Sequence, residues 1–171
     1  RLIPGPVLSP GTTTAEHVSR ELREAVARHA DAPTVESAVA LGQAYLAAGI
    51  GDLAHDQFSA AVKADFRQGS AWEGMARIWR DWGYPGIALG DAYRAVSAAP
   101  DSPSTHNTLG TILQILGKGR AAREQFGRAA SLDPAAAYPL NNLCYSLLLD
   151  GEAPGAAAAC ARAIAIDPAL V

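Results

Sequence analysis

The stretch that decides the fold is residues 103–136, PSTHNTLGTILQILGKGRAAREQFGRAASLDPAA. Its first half carries leucines at helical spacing, and Gly117 stands where such a helix would end. Its second half carries Ala122 and Ala129 at helical spacing, and Pro134 would end that second helix. Because small residues let one helix lie close against another, the stretch predicts two short helices joined by a tight turn.

The same pattern recurs every 34 residues on both sides of this stretch. The columns are Gly49, Gly83, Gly117 and Gly151; Ala54, Ala88, Ala122 and Ala156; Ala61, Ala95, Ala129 and Ala163; and Pro100, Pro134 and Pro168, with Phe66 in the first position of the last column. Alanine columns carry little weight in an alanine-rich chain. Glycine is only 16 of 171 residues, so four glycines in register are strong evidence of a repeat.

The period divides the chain into a repeat region and a preceding segment. Residues 35–171 form four predicted hairpins, with boundaries at 35–68, 69–102, 103–136 and 137–171. Residues 1–12 are rich in proline and glycine and are predicted to be an extended lead-in.

Residues 13–33 are predicted to contain one further helix. Thr13 and Glu16 have the spacing of a capping box, and Asp31-Ala32-Pro33 ends the pattern. The apolar residues of this helix lie four apart on one face, at Val18, Leu22 and Val26.

A repeat of two helices in 34 residues resembles the tetratricopeptide repeat, whose pattern is W-x2-L-G-x2-Y, then A-x3-F, then P. The first repeat supplies Leu41, Gly42, Tyr45, Ala54 and Phe58, and the third supplies Leu109, Gly110, Ala122, Phe126 and Pro134. The resemblance covers residues 35–168. It implies an all-α fold, a right-handed α-solenoid of four helical hairpins preceded by one extra N-terminal helix.

In this family the first helix of each hairpin lines the concave face, which implies a set of partner-binding residues. They are Gln43, Glu73, Arg77, Arg80, Asn107, Thr111, Gln114, Tyr138, Asn141 and Tyr145. Asparagine and glutamine can hydrogen-bond a peptide backbone, arginine can hold a carboxylate, and tyrosine offers rigid apolar area. We therefore expect a protein–protein interaction scaffold that binds a peptide or partner segment in the groove.

Composition argues against several other classes of function. The net charge is −3, the pI is near 5.8 and there is no basic run, so nucleic acid is not an expected partner. No stretch approaches the ~18 apolar residues of a membrane span. No histidine has a second ligand at metal-binding spacing on the same face, and no catalytic motif is present. We expect no metal, no cofactor and no enzymatic activity.

The two cysteines, Cys144 and Cys160, fall on slots that face each other across the last hairpin. The simpler interpretation is a pair of buried thiols that fill space. The alternative is a disulfide that links the two helices in an oxidising compartment.

Other functions stay open at the level of sequence. Because the chain opens on Arg1 and stops at Val171, it could be the repeat domain of a larger enzyme, for example a transferase. Abundant alanine and arginine also fit a bacterial envelope, pilus or secretion assembly factor. The uncapped C-terminal end would allow self-association. Whether the compartment is cytoplasmic or bacterial periplasmic does not follow from the residues.

Overall fold

The computed structural model describes residues 15–170, with side chains from 20 to 169. Nine α-helices and no strand occur in this range, and a short 3₁₀ turn, Pro168–Leu170, follows the last helix. The helices are α1 Ala15–Asp31, α2 Val35–Ala47, α3 Gly51–Ala64, α4 Gly69–Asp81, α5 Pro85–Ala98, α6 Pro103–Ile115, α7 Gly119–Leu132, α8 Ala137–Leu149 and α9 Ala153–Ile166. The predicted all-α helical repeat is confirmed. None of the helices in the described range has the length and apolar character of a bilayer span.

Each column glycine ends the first helix of a pair in the left-handed conformation. Gly83 has a φ of 86°, its N–H donates to the Arg80 carbonyl at 3.0 Å, and the Tyr84 N–H donates to the Trp79 carbonyl at 2.8 Å. This pair of bonds is the Schellman motif, which satisfies carbonyls that the helix leaves unpaired. The same pair of bonds recurs at Gly49, Gly117 and Gly151, with φ between 72° and 75°. The glycine column is therefore a requirement of backbone conformation.

The junction between α1 and α2 is built from polar side chains. Thr34 and Ser37 form a reciprocal capping box at the start of α2, and Ser37 Oγ lies 2.8 Å from His29 Nδ1 of α1. On α1 Ala25 is buried and Leu22 is half-buried, whereas Val26 is 41% exposed, so the expected packing face is correct at Leu22 and wrong at Val26. The predicted lead-in, the capping box of Thr13 and Glu16, and the side chain of Val18 lie outside the described residues.

The chain divides into two compact units, one containing α1 to α5 and one containing α6 to α9. In the first unit Phe58 is fully buried between α2 and α4. A Cβ atom at Gly42 would lie 2.7 Å from the Phe58 ring, and one at Gly74 would lie 2.2 Å from it. Helix α3 can insert its aromatic ring here only because both neighbouring helices carry glycine.

The second unit repeats this packing and adds a covalent link. Phe126 of α7 packs against Gly110 of α6, where a Cβ would lie 2.6 Å from the ring. Cys144 of α8 and Cys160 of α9 form a disulfide with a Cα–Cα distance of 5.2 Å. The interpretation of two free thiols is therefore wrong. The reason is geometric, because the alanines of α9 bring its backbone close enough to α8 for the two sulfur atoms to bond.

Candidate binding surface

Four of the predicted partner-binding residues lie on α2 and α4 in the first unit. Gln43 is exposed, whereas Glu73 is buried and Arg77 and Arg80 are half-buried. The two arginines are three residues apart, so they lie one above the other on the same face of α4. Arg80 also pairs with Asp81 at 2.7 Å.

Arg77 is a cation with reduced hydration. Burial is the largest effect on its pKa and lowers it, whereas the Glu73 carboxylate acts in the opposite direction. The neighbouring Arg80 cation lowers the pKa of Arg77 further, and Asp81 raises it. Arginine remains charged in proteins even so. A carboxylate brought next to Arg77 would replace part of the hydration that burial removes, so this position suits an acidic group.

The predicted residues on α6 are largely engaged by α8. The Asn142 Nδ2 atom donates to Asn107 Oδ1 at 2.8 Å, and the Ser146 Oγ atom donates to Gln114 Oε1 at 2.7 Å. Thr111 donates its hydroxyl to the Asn107 carbonyl at 2.9 Å, and both residues are buried. These side chains join the first helices of two successive hairpins, so their polar groups are less accessible than the pattern suggested.

Sequence reasoning missed Asn142 and Ser146. The family geometry selects residues one turn apart on a single helix, and these two lie beside that row. Their polar character among the leucines of helix α8, AYPLNNLCYSLLL, was the signal that could have identified them.

The accessible part of this surface in the second unit lies on α8. Tyr138 and Asn141 are half-buried, Tyr145 is 37% exposed and Leu148 is 56% exposed. Asn141, Tyr145 and Leu148 are four and three residues apart, so they share one face of the helix. This face combines an amide, an aromatic ring and an aliphatic side chain.

No protein-family model matches the sequence, and no curated protein matches it. Solved structures with the same architecture are nevertheless numerous. TTC0263, a thermophilic TPR protein of Thermus thermophilus, superposes with a TM-score of 0.78 at 19% identity, over 90% of this chain and 84% of that chain. YrrB, described as a TPR protein with an unusual peptide-binding site, gives a TM-score of 0.65 at 21% identity, over 90% and 79%. The chain has the tetratricopeptide-repeat fold.

A third similar structure is MamA, with a TM-score of 0.72 at 16% identity over 90% of both chains. At identities this low, the superpositions establish the tetratricopeptide-repeat fold and do not identify a partner. In this fold the column residues build the scaffold, so the surfaces outside those columns are free to differ between proteins that share the fold.

One such surface is an aromatic cluster at the tips of the first two tetratricopeptide repeats. Trp79 contacts Trp82 edge to face, with ring centroids 5.2 Å apart, and also lies 5.4 Å from His55 and 6.0 Å from Tyr84. Trp82 and Tyr84 are 40% and 55% exposed. The cluster covers the turn between α4 and α5 and brings together aromatic rings from α3 and α4.

The histidines whose side chains are described take part in local contacts. His106 Nδ1 lies 2.7 Å from Gln125 Oε1, which joins α6 to α7. Within the described residues, no group of three or more histidine, cysteine or acidic side chains could hold a metal ion. The side chain of His17 lies outside the described residues.

Proposed function

We propose that this chain is a protein-binding scaffold that holds a peptide or a segment of a partner protein against its first helices. The observation that carries the proposal is the accessible face of α8 formed by Asn141, Tyr145 and Leu148. Tyrosine and leucine supply apolar contact area, and an asparagine one turn away can satisfy the peptide groups of an extended segment. The peptide-binding site ascribed to YrrB, which has the same fold, supports this use of the repeats.

In the first unit, which contains α1 to α5, Arg77 and Arg80 add a charged contact to the proposal. Two arginines one turn apart can receive an acidic side chain, and the reduced hydration of Arg77 favours such a contact. Gln43 and Glu73 complete the proposed set on α2 and α4.

Site-specific photocrosslinking tests this proposal. A photoreactive phenylalanine analogue replaces Tyr145 in one variant and Arg162, an exposed residue of α9, in a matched control. Each full-length variant is irradiated in a lysate of the organism that encodes the chain. We expect a discrete crosslinked partner at position 145 and none at position 162.

The crosslinked partner then allows a quantitative comparison. Arg77→Gln should weaken its binding in calorimetry more at low salt than at high salt, since screening weakens the charge contact. Arg162→Gln should leave the affinity unchanged. Crosslinking at 162 with none at 145, or equal affinities of all variants, would contradict the proposal.

A further inference from the structure

Phe66 departs from the repeat at a position where the other three repeats carry proline. It lies in the turn between α3 and α4, and it is 69% exposed, more than any other large hydrophobic side chain of the described residues. The preceding residue, Asp65, has φ −143° and ψ 105°, close to the φ −138° and ψ 98° of Asp167 before Pro168. The turn would therefore accept proline, and the phenylalanine is not required by the backbone.

The exposed ring forms one wall of a pocket of about 520 Å³. The pocket is lined by Phe66, Arg67, Trp72, Arg94, Ser97 and Ala98, all from the α3–α4 turn, α4 and α5. The Trp72 Nε1 atom donates to the Phe66 carbonyl at 2.8 Å, which fixes the tryptophan against the turn. The guanidinium of Arg94 lies 5.1 Å from the centre of the Trp72 ring, and that of Arg67 lies 5.6 Å from the centre of the Phe66 ring.

The lining carries two cations and no carboxylate. The nearby Asp65 directs one oxygen to the Arg67 backbone N–H at 3.0 Å and the other to Gln68 Nε2 at 2.9 Å, so it is occupied by the turn. Asp91 accepts a bond from Nη1 of Arg94 at 2.8 Å, and the Arg94 side chain stays 60% exposed. An arginine has five N–H donors, so Arg94 keeps donors for a second acceptor.

We propose that this pocket binds an acidic peptide segment of a partner protein, with its carboxylates on Arg67 and Arg94 and an adjacent apolar side chain on Phe66 and Trp72. Charge complementarity supports the choice, because both charged side chains of the lining are arginines and Arg94 keeps N–H donors beyond its bond to Asp91. Two arginines are too few for a nucleic-acid surface, which needs a continuous basic stripe.

The test uses two blocked peptides, acetyl-Gly-Glu-Phe-Asp-Gly-amide and its neutral counterpart acetyl-Gly-Gln-Phe-Asn-Gly-amide. Binding to the full chain is followed through the indole N–H resonance of Trp72, which a Trp72→Phe variant assigns. We expect a saturable shift with the acidic peptide and none with the neutral one. Arg67→Gln should weaken binding about threefold to tenfold, because the substitution removes one exposed ion pair and one guanidinium–ring contact.

Phe66→Pro separates binding from folding, because the other repeats carry proline in the same turn. This variant should keep the circular dichroism spectrum and lose affinity to a similar extent, whereas Arg162→Gln should bind like the parent chain. The proposal is overturned if no saturable shift appears at millimolar peptide, or if Arg67→Gln and Phe66→Pro bind normally. It is also overturned if inorganic phosphate or duplex DNA gives the same shift with equal or higher affinity than the peptide.

Discussion

At the scale of single residues, glycine has opposite effects at two positions of the third repeat. Gly117 has a φ of 72°, whereas Gly127 lies inside α7, where a Cβ would meet no atom within 4 Å beyond its chain neighbours and the backbone of its own helix. Gly117→Ala should lower the free energy of unfolding by about 1–2 kcal/mol, because a Cβ is strained in the left-handed region. Gly127→Ala should raise it by about 0.5–1 kcal/mol, because alanine is the better helix former. Urea denaturation of the two variants checks the pair, and a change of the same sign in both would contradict it.

Two aspartates should respond to acid in opposite ways. Hydrogen bonds from the Arg67 backbone and the Gln68 side chain lower the pKa of Asp65 below its ordinary 3.8, so its stabilising contribution is present above pH 3.8 and lost as pH falls through the folded value. Burial raises the pKa of Asp91 above 3.8, although the hydrogen bond from Arg94 opposes this. The folded state then holds the Asp91 proton more tightly than the unfolded state does. The stability linked to this proton is therefore present below pH 3.8 and is lost as pH rises through the pKa of Asp91 in the folded state.

Asparagine substitutions at Asp65 and Asp91 test these two opposite dependences of stability on pH. The stability deficit of Asp65→Asn should shrink on acidification below about pH 4, where the parent carboxylate is protonated as well. The stability of Asp91→Asn relative to the parent chain should instead increase as pH rises. Urea denaturation at several acidic pH values measures both differences, and stability curves that stay parallel to that of the parent chain would contradict the assignment.

At the scale of elements, the disulfide makes the last hairpin the most constrained one. It joins α8 to α9 across 16 residues, and closing a loop of that length in the unfolded chain contributes roughly 3 kcal/mol. Reductant should therefore lower the free energy of unfolding by about 2–4 kcal/mol. The Cys144→Ala, Cys160→Ala double variant should not respond to reductant. Mass spectrometry of the unreduced chain supplies the control, since a chain without the two-proton deficit would show that the bridge is absent.

The elements differ in how far the sequence predicted them. The glycine and alanine columns predicted the helix ends and the close helix contacts, because each column reflects a constraint that a single residue type satisfies. The disulfide did not follow in the same way, since the spacing fits both two thiols and a bridge. The burial of Asn107 was also unpredictable, because it depends on Asn142, which belongs to a neighbouring column of the repeat.

The accessible surfaces were the least predictable part. The faces of Tyr145 and Arg77 followed from the resemblance to a family, and their role stays a prediction. The pocket beside Phe66 depends on where two long arginine side chains lie over aromatic rings, and no periodic pattern encodes those orientations.

At the scale of the whole molecule, stability should decrease towards the first helix. In α1, Ala25 is the only buried side chain between residues 20 and 31, whereas α4 buries six residues. Repeat proteins open locally where neighbour contacts are few. The backbone amides of α1 should exchange with solvent at least about tenfold faster than those of α4. This ratio corresponds to a free energy of local opening that is lower in α1 by about 1.4 kcal/mol or more. Hydrogen exchange read by mass spectrometry measures this ratio, and equal protection of the two helices would contradict the prediction.

The bridge between Cys144 and Cys160 also decides what a protease can release. The turn Asp150-Gly151-Glu152 is exposed and lies between the two cysteines in the chain. A cut in this turn would leave α9 tethered through sulfur, so the nicked protein would keep its full mass on a non-reducing gel. Only reduction would separate the terminal fragment, and a nicked chain can therefore pass for an intact one until it is reduced.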